Sequence, residues 1–446
     1  VTSLNTYSGV TNIQNPLFAF HRLTLSVRFA SSSPKGRASG ETNNFARIAK
    51  ASPLGRGGSA LALTARAGDP NDRSITMKKK LIALLAAVAM VFSLAACGST
   101  PDSVGTIGTV DITSGLYLLA QYDAYQKAAD LAASEQDATD VKAFLKQTIT
   151  VDADSGETAT VSDYVSRKTM ENLETYAAIE TRFEELGGQL TAEEEAQADS
   201  YASQLMEQYG DTYKANGIGL NTVQRFERIL IKSTDLLELV YGVDGETPVS
   251  DADLTSHLEN NMYELAYYTI PLYNTSTYAS ADDDQITQML TLTQAAVDQT
   301  NAAAAADSST LLGYFSGVVT SALPEVYAVL GSTYSSDSNA PSLELIGDST
   351  VTSAFTAEGA ADTIRGLSIG QAAAVKYNSY ALMAALRLDP LSLKALDDLR
   401  GQVLNDMKGE ELSEALTAYG ASLEHNLSSS AMNRMPASKI VNSSTN

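Results

Sequence analysis

Cysteine, tryptophan and histidine are scarce in this chain of 446 residues, which has one Cys, no Trp and three His. A single cysteine excludes an intramolecular disulfide, so the fold must rest on packing. His257 and His425 lie about 170 residues apart, with no thiol to join them in a zinc-binding motif. No Gly-rich phosphate loop of Walker type is present. We therefore expect neither a metal nor a cofactor.

Basic residues are also few. Residues 98–446 hold 18 Lys and Arg against 50 Asp and Glu, a net charge of −32. Such a surface repels nucleic acid and anionic lipid headgroups, so we exclude nucleic acid as a partner. The acidic runs at 193–195 and 282–284 stand where helix N-termini favour acids. We interpret them as helix starts rather than as calcium ligands.

A hydrophobic leader ends at the only cysteine. Met77 is followed by three lysines and an apolar run of about 16 residues, which closes with Leu-Ala-Ala-Cys at 94–97. A charged start, an apolar centre and small residues at the end are the layout of a secretory signal. The run is shorter than the roughly 20 residues of a transmembrane helix. Its end resembles the bacterial lipobox, which implies cleavage between Ala96 and Cys97 and lipidation of Cys97.

Residues 1–76 differ from the rest of the chain. They hold nine Lys and Arg against three Asp and Glu, with many Ser, Gly and Ala and little periodicity. Because a secretory signal is read at an N-terminus, we expect 1–76 to be a disordered upstream extension and Met77 to be the native start. An organellar transit peptide is the alternative. Residues 77–96 are then the signal peptide, and 97–103 a lipidated tether.

The pattern over residues 104–247 predicts a mostly helical domain. A β-branched, Gly-containing segment at 104–112 predicts an extended piece or hairpin. Helical periodicity follows from Thr113 to about residue 134. A second short helix is predicted at 140–148, and a turn-rich connector at 151–158.

Two capping boxes predict where later helices of this domain begin. Thr191 is followed by Glu194 at the third position, and Asn221 is followed by Gln224 in the same way. A long helix at 162–186 precedes the first of them, and Gly-rich breaks separate the three helices.

The predicted secondary structure changes from mostly helix to a mixture of strands and helices over residues 248–389. An aromatic-rich strand is predicted at 265–272, a helix at 354–366, and a hairpin of two strands at 371–388. Residues 390–427 are predicted to be a helix that returns to the first domain. Residues 428–446 are predicted to be a polar tail.

Taken in order, four segments resemble the PrsA/SurA-type foldase lipoproteins. The first is the entry to the first helix, at 104–125, and the second comprises the helices that begin at the first capping box, at 190–241. The third is an acidic helix before the insert, at 249–254, and the fourth is the last motif of the chain, at 431–440. The resemblance implies an α+β, mostly α fold, in which a bipartite SurA-like helical chaperone domain carries an inserted, small parvulin-like α/β domain.

The insert departs from active parvulins at their two histidines. The family places one His in its first strand, where residues 266–270 read Ala-Tyr-Tyr-Thr-Ile, and another in its closing strand, where Tyr380-Ala381-Leu382 stands. The resemblance therefore implies a degenerate pocket around Tyr268, Phe355, Leu367 and Tyr380. Without the family's buried polar cluster, nothing stabilises the twisted imide of prolyl isomerisation, whose barrier is ~18–20 kcal/mol.

The remaining candidates have simpler interpretations. The Gly-x-Ser-x-Gly pattern at 366–370 lacks the strand–turn–helix setting of a nucleophile elbow, so we interpret it as a turn. We expect His257 to be a solvated side chain and His425 to lie near a helix C-terminus. Tyrosines 263, 267, 268 and 273 either fill the core of the insert or form a surface for unfolded chains.

These features predict a bacterial lipoprotein, anchored on the extracytoplasmic face of the cell membrane through Cys97. Its expected partners are unfolded or newly secreted polypeptides, which it binds as a chaperone. One alternative is an active parvulin-type peptidyl-prolyl isomerase. Another is a solute-binding lipoprotein, which requires two similar lobes of alternating strands and helices.

Overall fold

The computed structural model describes residues 100–132, 138–152, 155–303, 307–335 and 340–442. Helices predominate and the sheets are small and antiparallel, which confirms an α+β fold. The chain divides into two compact units. The helical unit comprises the described residues of 100–181, 191–229 and 417–442, and the sheet unit those of 182–190 and 230–416.

The elements of the first half, in chain order, are β1 (Ser103–Ile107), β2 (Val110–Thr113), α1 (Ser114–Leu131), α2 (Val141–Phe144), β3 (Thr148–Asp152), β4 (Glu157–Thr160), α3 (Val161–Glu185), α4 (Ala192–Ala215), α5 (Leu220–Tyr241) and α6 (Asp251–Asn261). Those that follow are β5 (Met262–Pro271), α7 (Asp283–Ala302), α8 (Ser308–Ala328), β6 (Ser342–Gly347), α9 (Asp348–Ala354), α10 (Ala360–Gly366), β7 (Ala372–Lys376), β8 (Ala381–Leu388), α11 (Pro390–Leu393), α12 (Leu396–Ser422), β9 (His425–Leu427), α13 (Ser429–Met432) and a short 3₁₀ turn (Ala437–Lys439).

The helical unit begins with the predicted hairpin. The Thr113 hydroxyl accepts a hydrogen bond from the Leu116 amide and so starts α1. The predicted capping box is also present, because Thr191 and Glu194 bond each other's backbone amides at the start of α4. The second predicted box is wrong. Helix α5 already begins at Leu220, so Asn221 lies inside its first turn.

A second hairpin replaces the predicted connector and shortens the predicted helix before it. Helix α2 spans only one turn, and β3 and β4 pair antiparallel across the region assigned to the connector. The β-branched residues of Thr148–Asp152 favour strand, and Gly156 adopts a left-handed φ of 70° in the turn. The connector prediction failed because its turn-type residues concealed a hairpin.

The described part of the predicted polar tail, residues 428–442, contains a short helix and a 3₁₀ turn. Strand β9 pairs with β1, so a three-stranded sheet of order β2-β1-β9 joins the two ends of the described chain. Met435 is buried, and Asn216 exchanges two hydrogen bonds of 2.8 Å with the backbone of Val441. Pairing across more than 300 residues is invisible to local patterns.

The sheet unit is built on a four-stranded antiparallel sheet of order β6-β5-β8-β7. On one face, Ala266, Tyr268 and Ile270 pack against α7 and α8. On the other face, Leu265 and Tyr267 pack against α9 and α10. Both faces are thus covered, and successive residues of β5 belong to different cores.

Side-chain amides occupy the open edge of β7. Asn301 of α7 donates to the carbonyl of Ala372 at 2.9 Å and accepts from its amide at 2.7 Å. The Gln294 side chain accepts from the Ala374 amide at 3.2 Å. These bonds replace those that another strand would make, which protects an edge that is otherwise prone to pairing.

Helix α12 covers the opposite edge of the sheet. Its Gln402 donates to the carbonyl of Leu345 in β6 at 2.6 Å. One turn further, Asp406 lies 2.8 Å from Nε2 of His257. His257 is therefore not the solvated side chain that the sequence predicts, because α12 brings a carboxylate to it.

The predicted helix at 354–366 is present only in its second half, as α10, and α9 ends where the predicted helix was to begin. Gly359 adopts a left-handed φ of 70° immediately before α10, a conformation that glycine adopts without steric cost. The hairpin of β7 and β8 is confirmed, with Asn378 in its turn.

Candidate functional site

The loop that follows β5 is built by backbone hydrogen bonds. The Ala281 amide donates to Leu272, and the Asn274 and Ala279 backbones are joined in the same way, each at 2.8 Å. The Leu272 amide also donates to the carbonyl of Tyr380, in the turn between β7 and β8. These bonds fix the loop against the end of the sheet.

Asn274 organises the interior of this loop. Its side-chain oxygen accepts from the amides of Ser276 and Thr277, each at 2.9 Å. Its side-chain nitrogen donates to the carbonyl of Leu330, just after α8, at 2.6 Å. A second link joins the Thr275 amide to the Ser332 hydroxyl at 3.1 Å. Side-chain bonds of this kind allow asparagine to set a turn.

Tyr278 is held in a strained conformation. Its φ of 58° is the only positive φ of a non-glycine residue in the part of the chain that the structure describes. A left-handed conformation costs roughly 1–2 kcal/mol for such a residue. Half of the side chain is nevertheless exposed. Strain in a well-bonded loop that displays an exposed aromatic ring is typical of a functional position.

Four tyrosine rings meet where this loop adjoins the end of α8. The rings of Tyr273 and Tyr278 lie 6.3 Å apart, and those of Tyr327 and Tyr334 lie 5.3 Å apart. The hydrogen bonds of Asn274 to Leu330 and of Thr275 to Ser332 hold the two pairs side by side, and burial raises the pKa of Tyr327 to about 12. We call these four residues the tyrosine surface. Tyr380, 73% exposed, stands in the neighbouring turn.

The two segments that carry the tyrosine surface contain no charged residue. Residues 272–281 and 326–335 contain no Asp, Glu, Lys or Arg. This contrasts with the rest of the chain, where 50 acidic residues follow residue 97. Tyrosine rings offer an apolar face and a polar hydroxyl, so the surface suits a partner that is neither strongly charged nor wholly apolar.

The four residues of the predicted degenerate pocket are not brought together. Tyr268 lies on the α8 face, where its hydroxyl bonds that of Ser316 at 2.8 Å, and burial raises its pKa. Phe355 and Leu367 belong to the core on the other face of the sheet. Tyr380 is exposed in a turn. The sheet thus separates Tyr268 from Phe355 and Leu367.

The tyrosines that the sequence suggested as a surface divide in the same way. Tyr263, Tyr267 and Tyr268 are each less than 10% exposed and fill the two cores, whereas Tyr273 contributes to the tyrosine surface. Sequence reasoning missed Tyr278, Tyr327 and Tyr334. The available signal was the coincidence of repeated tyrosine and absent charge in two separate segments.

The remaining sequence candidates have structural roles. His425 lies with its Nε2 3.2 Å from Oε1 of Glu174. The segment 366–370 is a turn, as predicted, in which Gly370 has a φ of 83°. The acidic run at 282–284 begins α7, with Asp282 in a capping box.

The predicted cleavage and lipidation site, Ala96 and Cys97, lies outside the described residues. Within the described ranges, no helix combines the length and apolar character needed to cross a bilayer. No group of three His, Cys, Asp or Glu side chains in those ranges is placed to hold a metal ion.

Comparisons with known proteins give little. No protein-family model matches the chain, and no curated protein matches it. Among solved structures, it is similar to the crystal structure of foldase protein PrsA from Streptococcus pneumoniae str. Canada MDR_19A. The identity is 11% and the TM-score 0.31, over 64% of this chain and 97% of the other. At these values the likeness is one of distant fold, and we draw no functional conclusion from it.

Proposed function

We propose that the protein is a chaperone-like lipoprotein, anchored through Cys97 on the outer face of a bacterial membrane, that binds unfolded secreted polypeptides at the tyrosine surface. The observation that carries the proposal is the tyrosine surface itself, with Tyr278 held in a strained and exposed conformation. Tyrosine supplies a large contact area at a low cost in side-chain entropy.

The preformed loop at 272–281 favours the binding of polypeptides over prolyl isomerisation. Asn274 and Ser332 hold the loop in place, so little conformational freedom remains to be lost when a partner binds. The sheet unit has no histidine in residues 262–388. In the strand where the family places its first histidine, the Tyr268 hydroxyl bonds that of Ser316. We therefore propose holding rather than isomerisation.

The topology of the sheet unit supports the resemblance to a parvulin-like insert. Its first and last strands, β5 and β8, are neighbours, and two helices connect β5 to β6. The solute-binding alternative gains no support. All strand pairs in the described part of the chain are antiparallel, whereas alternating strands and helices give parallel sheets.

The test is suppression of aggregation of an unfolded secreted protein by the full chain, followed by light scattering. The decisive variant is Tyr278→Asn with Tyr380→Ser. Asparagine tolerates the left-handed conformation at 278, so this variant is expected to keep or raise the melting temperature while it loses most of the suppression. Loss of suppression in a protein of undiminished stability cannot be ascribed to unfolding.

The matched control is Tyr314→Ser, which removes another exposed tyrosine of the sheet unit. Tyr314 and Tyr327 are 13 positions apart on α8, or roughly 20 Å at 1.5 Å per residue. We expect this control to suppress aggregation as the parent chain does. Equal loss in both variants would contradict a role for the tyrosine surface. A protease-coupled proline-peptide assay run beside it would contradict pure binding if it showed a rate that Tyr268→Ala abolished.

A further inference from the structure

A pocket in the helical unit is separate from the tyrosine surface. It has a volume of about 270 Å³ and lies between α1, the end of α4 and the C-terminal segment. Leu118, Met435, Pro436 and Ile440 give it an apolar lining. Nothing in the proposed binding of polypeptides uses this pocket.

The C-terminal wall of the pocket is firmly fixed. The buried Gln121 side chain donates to the carbonyl of Met435 at 3.2 Å. Asn216, at the end of α4, exchanges two bonds of 2.8 Å with the Val441 backbone. Since α1, α4 and the last segment are tied together, the pocket is preformed rather than opened by a ligand.

The charged residues that line this pocket are basic, whereas the net charge of residues 98–446 is strongly negative. Arg434 and Lys439 line it, and its lining includes no Asp or Glu. The Lys439 side chain donates to the backbone carbonyl of Arg434 at 3.0 Å, which holds the Lys439 ammonium beside the Arg434 backbone. These are two of only 18 basic residues after position 97, against 50 acidic ones. Two cations beside an apolar lining fit an anion that is joined to an apolar body.

The position of Thr100 indicates where such an anion would come from. Thr100 lines the pocket and follows Cys97 by three residues, a reach of at most about 11 Å. A membrane that held acyl chains on Cys97 would thus bring phospholipid headgroups within reach of the pocket. We propose that the pocket binds the phosphate of an anionic glycerophospholipid headgroup and so orients the helical unit at the membrane.

This inference rests on the lipid anchor of the proposed function, but its test is independent of the anchor. The full chain, kept in a non-ionic detergent, is titrated calorimetrically with dihexanoyl-phosphatidylglycerol. Dihexanoyl-phosphatidylcholine and inorganic phosphate are titrated in parallel. The net charge of −32 repels anions in general, so non-specific attraction does not imitate binding.

We expect phosphatidylglycerol to bind, phosphatidylcholine to bind at least roughly tenfold more weakly, and free phosphate to bind weakly for lack of apolar contacts. Arg434→Ala with Lys439→Ala is expected to weaken phosphatidylglycerol binding by roughly tenfold or more. Lys376→Ala with Lys394→Ala removes the same charge from the sheet unit and is expected to change nothing.

Three outcomes would overturn the proposal: no phosphatidylglycerol binding, binding that is equal in the two double variants, or free phosphate that binds as tightly as the lipid. The last would indicate a soluble phosphate site. Mass spectrometry of Cys97 is a separate readout. An unmodified Cys97 with intact headgroup binding would refute the lipid anchor and would still support headgroup binding in the pocket.

Discussion

Glu264 offers the most informative test of the sheet unit, because it is a buried carboxyl whose oxygens accept no hydrogen bond from the described residues. It lies in β5 between Leu345 of β6 and Leu388 of β8, and it is 1% exposed. Burial raises its pKa, and Lys394 only partly opposes that shift. We predict that Glu264→Leu stabilises the protein.

The magnitude follows from the desolvation of an unpaired polar group, which costs about 1–3 kcal/mol in protein mutational data. Leucine removes that cost and adds apolar contact with its neighbours. At 2–4 °C per kcal/mol for a unit of this size, the melting temperature of the sheet unit should rise by roughly 2–12 °C. Glu325→Leu, on an exposed part of α8, is the control, and its effect should stay within about 0.5 kcal/mol.

The pH dependence of the stability gain in Glu264→Leu tests the reasoning more specifically than the size of the gain does. A carboxyl whose pKa is raised in the folded state destabilises that state as pH rises from its unfolded-state pKa, about 4.3, through the raised value. The advantage of Glu264→Leu should therefore be smallest near pH 4 and grow to a plateau at higher pH. Urea unfolding followed by near-ultraviolet circular dichroism, at several pH values, measures it. A gain independent of pH, or a loss of stability, would refute the reasoning.

Three further predictions concern the edge of the sheet, a close contact of a glycine and the cap of a helix. Asn301→Ala with Gln294→Ala frees the β7 edge and should increase concentration-dependent association, as measured by light scattering; unchanged association would contradict edge protection. Gly347→Ala places a methyl group against the Asp406 carboxylate and should lower the melting temperature by several degrees, whereas Gly313→Ala, with open space around it, should not. Thr191→Ala should cost about 1 kcal/mol, because it removes a capping box, and a loss below 0.3 kcal/mol in urea unfolding would count against that role.

Local features of the fold were predictable. The hairpins of β1–β2 and β7–β8 follow from alternating patterns around turns, and the start of α4 follows from the capping box at Thr191. Each depends on residues only a few positions apart. Features that depend on distant residues were not predictable, and the pairing of β9 with β1 is the clearest example.

The candidate site shows the same limit. Tyr273 was recognised because it follows an aromatic-rich strand. Tyr327 and Tyr334 were missed, because they lie more than 50 residues along the chain from Tyr273 and adjoin it only in the folded sheet unit. The strain at Tyr278 is a property of the folded loop, which the hydrogen bonds of Asn274 hold in place. No pattern in the sequence predicts it.

The central claim is that unfolded polypeptides bind at the tyrosine surface. It is tested most directly by mapping contacts with an unfolded secreted polypeptide that carries photoreactive groups. After irradiation with the full chain, cross-linked peptides are identified by mass spectrometry. We predict that cross-links concentrate in residues 272–281 and 326–335 and disappear in Tyr278→Asn with Tyr380→Ser. Cross-links confined to the helical unit, or undiminished in that variant, would contradict the account.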